Sequence, residues 1–307
     1  MSRVVTVQLL FSALALVMAG LGLTLEVADF KRLISERRAV VIALVTQMVV
    51  LPVCAFLIAI ALQLSPRNAV GLVLLAVAPG SVSSSIYSRV FGGNVALNVS
   101  LTGLNTLLSM VTLPATCSWA MAYFNADSGD LDSILRKLAE SMMILVVPVV
   151  IGMVVRARAP EFARSLDKPI GYISIGVLVV FSGAAIVSEW EALAQAFTQV
   201  GLSAILFNLL SLWVGYVGAH AFRLSERDSV AIAFQLGVRS AVLAIFVAMT
   251  ALNDTQMALP AAVYSITMVL FGMTFGVWVR RRNAKRGLRP GLALGDRGAM
   301  ELPRVPS

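Results

Sequence analysis

Apolar residues gather into long uninterrupted runs along the chain, and clusters of charged and polar residues separate one run from the next. The runs cover residues 5 to 25, 39 to 62, 69 to 91, 95 to 123, 138 to 155, 170 to 187, 196 to 221, 229 to 250 and 257 to 279. An α-helix needs about 20 apolar residues to cross a bilayer, so each run is long enough to be read as a span. The pattern predicts an all-α integral membrane protein with nine transmembrane helices. Only Arg3 precedes the first run, and at about 20 residues that run is longer than the apolar core of a secretory signal. It is therefore read as a span.

Two runs depart from plain Leu, Val and Ala. The third contains Ala78-Pro79-Gly80-Ser81-Val82-Ser83-Ser84-Ser85 near its middle. Proline removes a backbone donor, glycine adds freedom, and serines compete for backbone hydrogen bonds, so the helix should break there. The eighth contains Phe234-Gln235-Leu236-Gly237-Val238-Arg239-Ser240-Ala241. Non-helical backbone at membrane depth is tolerated only where protein or a polar cavity satisfies its freed groups. Pro79, Gly80 and Gly237 are thus the expected helix-breaking residues, and both breaks point to a polar site.

Composition agrees with the membrane reading. Hydrophobic residues make up 59% of the 307 positions and charged residues only 13%, against roughly 45–50% and 25% in soluble domains. The net charge of +8 and pI near 10.1 do not imply nucleic acid, because the basic residues follow membrane topology. Nineteen of the 24 Lys and Arg residues fall in alternate loops and in the stretch after 279, and four lie in the opposite loops, where Asp and Glu collect. This predicts a multi-pass protein of the cell (plasma or inner) membrane, with its N-terminus outside and its C-terminus in the cytoplasm. Residues 1–279 form the expected transmembrane domain, and 280–307 a basic, disordered cytoplasmic tail. Cys54 and Cys117 lie inside apolar runs with no metal-ligand spacing.

The one remaining basic residue is Arg239. It stands 11 residues from Asp228 and 14 from Asn253, about 16 to 21 Å of helix, which is too far to reach either surface easily. An intramembrane arginine is costly and cannot shed its charge, so it marks a functional site by default. In this orientation the third span starts outside and the eighth inside, so the two breaks occupy matching places in two inverted repeats, the arrangement that marks a transport site. Asn105 follows Thr102 by three residues and shares its helix face. No acid lies inside the membrane to act as a general base, there is no His cluster or paired-Asp motif, and every Lys lies in a loop or at an edge. These absences weigh against a membrane enzyme and against a retinal-binding receptor.

With these residues the chain resembles the bile acid:sodium symporter family over nearly its whole length. The resemblance is carried by Leu21-Gly22-Leu23-Thr24-Leu25 before Asp29-Phe30-Lys31, Gln47 through Pro52, Pro79-Gly80 with its serines, and Gly93-Asn94-Val95-Ala96-Leu97 leading to Thr102. Ala233-Phe234 with Gly237, and Ala258-Leu259-Pro260-Ala261-Ala262, complete it. It implies two inverted repeats with two crossed discontinuous helices, the first helix of the ten-span form being absent. A core (39–123 and 196–279) would then face a panel of the spans at 5–25, 138–155 and 170–187. It also implies symport of an organic anion, a carboxylate or sulfonate, with sodium by alternating access, and no other cofactor. The substrate itself, and whether the protein is a monomer or a homodimer, stay open.

The resemblance places sodium ligands at Gln47, Ser84 and Thr102, with Ser85 and Asn98 as oxygen-bearing replacements. Two positions depart further: Gln235 stands where the family has glutamate, and Arg239 where it has glutamine. A fixed cation about 4 Å from a sodium ion opposes it by roughly 4 kcal/mol at an effective dielectric of 20. Both changes weigh against two bound sodium ions. Three roles are open to Arg239: replacing a coupling ion, pairing with the substrate anion, or satisfying the carbonyls of a broken helix. Ser83, Ser240 and Asn105 join the candidate site by position. A sodium-independent exporter or uniporter, and a non-transporting sensor, are the alternative functions.

Overall fold

The computed structural model describes residues 18–20, 22–23, 34–126, 131–159, 161–162 and 190–285, and the described residues are helical with no strands. The expected span at 170–187, and most of that at 5–25, lie outside them. Helix α1 runs Arg37–Ala61. The first interrupted span divides into α2 (Pro66–Val77) and α3 (Val82–Val90), followed by α4 (Val95–Phe124) and α5 (Leu131–Arg158). Next comes α6 (Trp190–Ala221), and the second interrupted span divides into α7 (Glu226–Gly237) and α8 (Ala241–Thr250). A single 3-10 turn, Gln256–Ala258, leads into α9 (Leu259–Lys285). Among the described residues four helices are long and apolar enough to cross a membrane: α1, α4, the Ala194–Ala221 part of α6, and α9 with its leading turn.

The half-helices start and stop where local chemistry dictates. Ser65 and Ser225 cap α2 and α7, each accepting a hydrogen bond from the backbone N–H three residues on, at 3.4 and 3.2 Å. Gln63 and Arg223, two residues earlier, both adopt the left-handed conformation, with φ of 48° and 58°. α2 stops at Ala78 (φ −55°, ψ 140°), because the residue before a proline is pushed out of the helical region. α1 contains one π-helical turn, Thr46–Val50, just before Pro52, whose missing N–H loosens the preceding ladder. That turn presents Gln47 to the interior, 2% exposed.

α2 and α7 form the centre: every residue from Asn68 to Val77 and from Ser229 to Gly237 is buried. Their outer ends are fastened in matching ways. Arg67 pairs with Asp254 in the loop after α8 (3.2 Å), and the Asn94 amide in the loop after α3 donates to Asp228 (2.8 Å). The outward faces of α1, α4, α6 and α9 leave Val, Leu and Trp exposed, among them Val41, Leu57, Val111, Leu202 and Leu270. Such a surface suits hydrocarbon. On α5, Arg136 pairs with Glu140 at 3.1 Å, one turn apart.

The chain corrects one expectation here. Residues 280–285 are not disordered, since α9 continues to Lys285. The Arg282 guanidinium donates to the Tyr216 hydroxyl (2.8 Å) and lies over the Tyr216 and Trp278 rings, which gives the last turn tertiary support. Residues 286–307 lie outside the described ones. Beside this contact His220 meets Glu226 at 2.8 Å, and Tyr216 donates to the same carboxylate at 2.7 Å. Burial alone would raise the Glu226 carboxyl, but hydrogen bonds from Tyr216 and His220, the His220 charge and Asn283 hold it below its ordinary value.

A carboxylate with a depressed folded pKa stabilises above its unfolded pKa, and that gain disappears as pH falls through the folded value. Glu226→Gln is therefore expected to melt lower than wild type at neutral pH. The gap should close once the pH drops below the ordinary carboxylate range, as a pH series of melting curves would show. A gap that stayed constant down to that acidity would refute the ion-pair account.

Candidate functional site

The two interrupted helices meet at their breaks. Ser81 N–H donates to the Val238 carbonyl and Ser240 N–H to the Pro79 carbonyl, both at 2.9 Å, so Gly80 and Arg239 face each other in an antiparallel bridge. Gly80 is required by this proximity. A Cβ there would lie 2.6 Å from the Gln235 side-chain carbon Cδ and 2.8 Å from the Gln235 carbonyl oxygen. Two groups of polar side chains surround the crossing.

The first group closes the end of α2. A helix leaves its last carbonyls without intrahelical donors, and buried carbonyls need partners. The Arg239 guanidinium, fully buried, donates through Nη1 to the carbonyls of Ala76 (2.7 Å), Ala78 (2.8 Å) and Leu75 (3.5 Å). Nη2 donates to Gln47 Oε1 at 3.3 Å, and Gln47 Nε2 donates in turn to the Ala78 carbonyl at 3.0 Å. The Phe207 ring lies 5.5 Å from the guanidinium carbon. The matching end of α7 is closed by neutral donors: Asn208 and the Tyr264 hydroxyl both donate to the Gly237 carbonyl, at 3.0 and 2.8 Å.

The second group links α3, α4 and α7. The Gln235 Oε1 faces the Thr102 hydroxyl at 2.8 Å and the Ser84 hydroxyl at 3.0 Å. Each hydroxyl has a second acceptor: Asn98 Oδ1 for Ser84 (2.7 Å) and the Asn98 carbonyl for Thr102 (2.9 Å). Asn98 Nδ2 donates to Ser88 and to the Ala231 carbonyl. Ser84, Asn98 and Gln235 are fully buried, and Thr102 is 2% exposed.

The structure sorts the sodium positions that the resemblance supplied into two groups. Gln47 belongs with Arg239, away from the Ser84, Asn98, Thr102 and Gln235 oxygens. Ser85 leaves the set, because the next helix position turns by about 100° and its hydroxyl donates to the Val82 carbonyl of its own turn. Ser83 and Ser240 have no side-chain hydrogen bond to either group, although the Ser240 backbone forms the bridge. Asn105 is buried one turn beyond Thr102, and neither end of its amide has a partner among the described residues.

Ser88, Phe207 and Tyr264 join the crossing without having been singled out by their sequence. A separate signal is an internal repeat: Leu64-Ser65-Pro66-Arg67-Asn68-Ala69-Val70 aligns with Leu224-Ser225-Glu226-Arg227-Asp228-Ser229-Val230. That alignment ties the two interrupted helices together before any contact is known.

Apolar long helices around two interrupted helices, with polar side chains buried where those helices meet, define a membrane transport protein. The chain belongs to the Sodium Bile acid symporter family, whose model matches residues 11–196. It is 26% identical over 277 residues to the probable sodium/metabolite cotransporter BASS1, chloroplastic, of Arabidopsis thaliana, covering 90% of this chain and 67% of that protein. It is likewise 26% identical over 274 residues to the uncharacterized sodium-dependent transporter YocS of Bacillus subtilis (89% and 83%). The human ileal sodium/bile acid cotransporter is 26% identical over 269 residues (85% and 76%).

Proposed function

We propose that this protein is a secondary carrier that moves small organic anions, carboxylates or sulfonates, across the cell membrane by alternating access. The observation that carries the reading is the crossing itself: two helices interrupted at matching points, with their backbones paired at Gly80 and Arg239 inside the buried centre. Rocking one set of helices about such a crossing exposes the same site to each side in turn. The family membership and the relatives named as metabolite and bile acid cotransporters support the same class.

The anionic substrate class has a local support as well. α3 and α8 both begin at the crossing, and neither Ser81 nor Ser240 caps its helix with a side chain. The positive ends of two half-helix dipoles therefore lie there, the arrangement that receives anionic groups in broken-helix carriers. We read the whole as nine spans in two inverted repeats, N-terminus outside and C-terminus in the cytoplasm, with the core at 39–123 and 196–279. The panel at 5–25, 138–155 and 170–187 would form the other wall of the cavity.

Reconstitution into proteoliposomes tests the reading. Saturable uptake of at least one carboxylate or sulfonate from a panel that includes a bile salt and short keto acids is expected. Equilibrium binding without flux for every member would instead make the protein a sensor built on a carrier fold.

A further inference from the structure

We infer that Arg239 is a built-in cation that takes the place of a coupling ion, so that the carrier moves its anion without sodium. The inference rests on the transport reading above and deepens it. The end of α2 supplies what a desolvated monovalent cation seeks: the carbonyls of Leu75, Ala76 and Ala78 and the Gln47 Oε1, at the negative end of a helix dipole. Those oxygens all accept from one guanidinium. It is attached to the chain, is fully buried, and keeps its charge across the physiological pH range.

The residues present do not fit sodium. The first oxygen group is filled by Arg239. The second, formed by Ser84, Asn98, Thr102 and Gln235, is neutral, and its side-chain oxygens are joined to one another at 2.7 to 3.0 Å. A carboxylate would offset the charge of an incoming ion, but neither group contains one. Among the described residues no cluster of acidic, histidine or cysteine side chains offers a substitute. A sodium ion would have to break the internal hydrogen bonds of the second group and also sit near an uncancelled guanidinium.

An electrical consequence follows. A carrier that takes sodium along moves net positive or neutral charge, whereas this one moves the anion alone. An interior-negative membrane potential then drives the anion outward, by about 50-fold in concentration per 100 mV for a monoanion. Sodium-free transport is thus biased toward export, drawing on the membrane potential and not on a sodium gradient.

Two measurements decide the matter. Melting of the purified protein is compared in sodium chloride and choline chloride at equal ionic strength, and taurocholate flux is measured in proteoliposomes in the same two salts. Equal melting temperatures and equal fluxes are expected, with efflux accelerated by an interior-negative potassium diffusion potential. A melting temperature that rises and saturates with sodium, or flux lost in choline, would overturn the inference. A variant carrying Arg239→Gln and Gln235→Glu together should acquire a saturable sodium-dependent rise in melting temperature. A folded double variant that stays blind to sodium would count against the assignment. Failure of every tested anion to move would speak against the transport reading alone, since the sodium titration of wild-type melting needs no flux.

Discussion

Arg239→Ala is expected to lower the unfolding free energy by about 3–5 kcal/mol, because it leaves buried acceptors without a donor and a cavity where the side chain packed. The variant deletes the donor on which the Ala76 carbonyl depends and one of the two at Ala78, where Gln47 Nε2 remains, and it strands the Gln47 Oε1 in the interior. Each buried acceptor left without a donor carries its full desolvation cost, about 1–3 kcal/mol. The Phe207 ring also loses the cation beside it. Arg239→Lys keeps the charge but presents a compact ammonium in place of a planar fork, so it should fall between wild type and the alanine variant. Denaturant unfolding in detergent, followed for all three, checks the order. An alanine variant as stable as wild type would remove Arg239 from its role in closing α2.

Gly80→Val is expected to abolish flux, or lower it by more than about tenfold, and to destabilise the fold by about 1–3 kcal/mol or more, as overpacking of a closed interior does. The reason is distance. The added side chain would have to occupy the space held by the Gln235 Cδ and carbonyl oxygen, at 2.6 and 2.8 Å from the new Cβ. Gly80 can move away only by breaking the two 2.9 Å backbone bonds that join the breaks. Gly218 serves as the contrast, because a Cβ there meets nothing within 4 Å. Gly218→Ala should leave both flux and melting at wild-type levels or slightly raise stability, alanine being the better helix former. Equal effects of the two substitutions would show that close approach at the crossing is unimportant.

Particular residues show how far the sequence could be read. Both breaks were legible, because Pro79 and the serines after it disrupt a helix through their own backbone chemistry, and Gly237 with Arg239 marks a second disruption. The membership of the family was legible from short motifs spread over the chain. What could not be read was the partition of the polar residues. Ser84 and Ser85 are neighbours of the same chemical type, yet only Ser84 enters the buried group, because the rotation of α3 against α4 and α7 selects one of them. Gln47 and the Ser84 oxygens were both sodium positions with no division between the two sites, and the π-helical turn before Pro52 aims Gln47 at Ala78 and Arg239. The continuation of α9 to Lys285 was hidden for a similar reason: its last turn is supported by Tyr216, 66 positions away in the chain.

By itself the sequence determined the medium, the helical class and the two places where helices must fail, because these depend on the solvation of individual side chains and on backbone chemistry within a few residues. The three roles left open to Arg239 differ only in what surrounds the guanidinium. Tertiary structure decided that surrounding: the end of α2, together with Gln47 and Phe207, brings carbonyl and amide oxygens around the charge from segments far apart in the chain. A buried charge takes its meaning from the groups that desolvate and satisfy it, and these are assembled only when the helices cross.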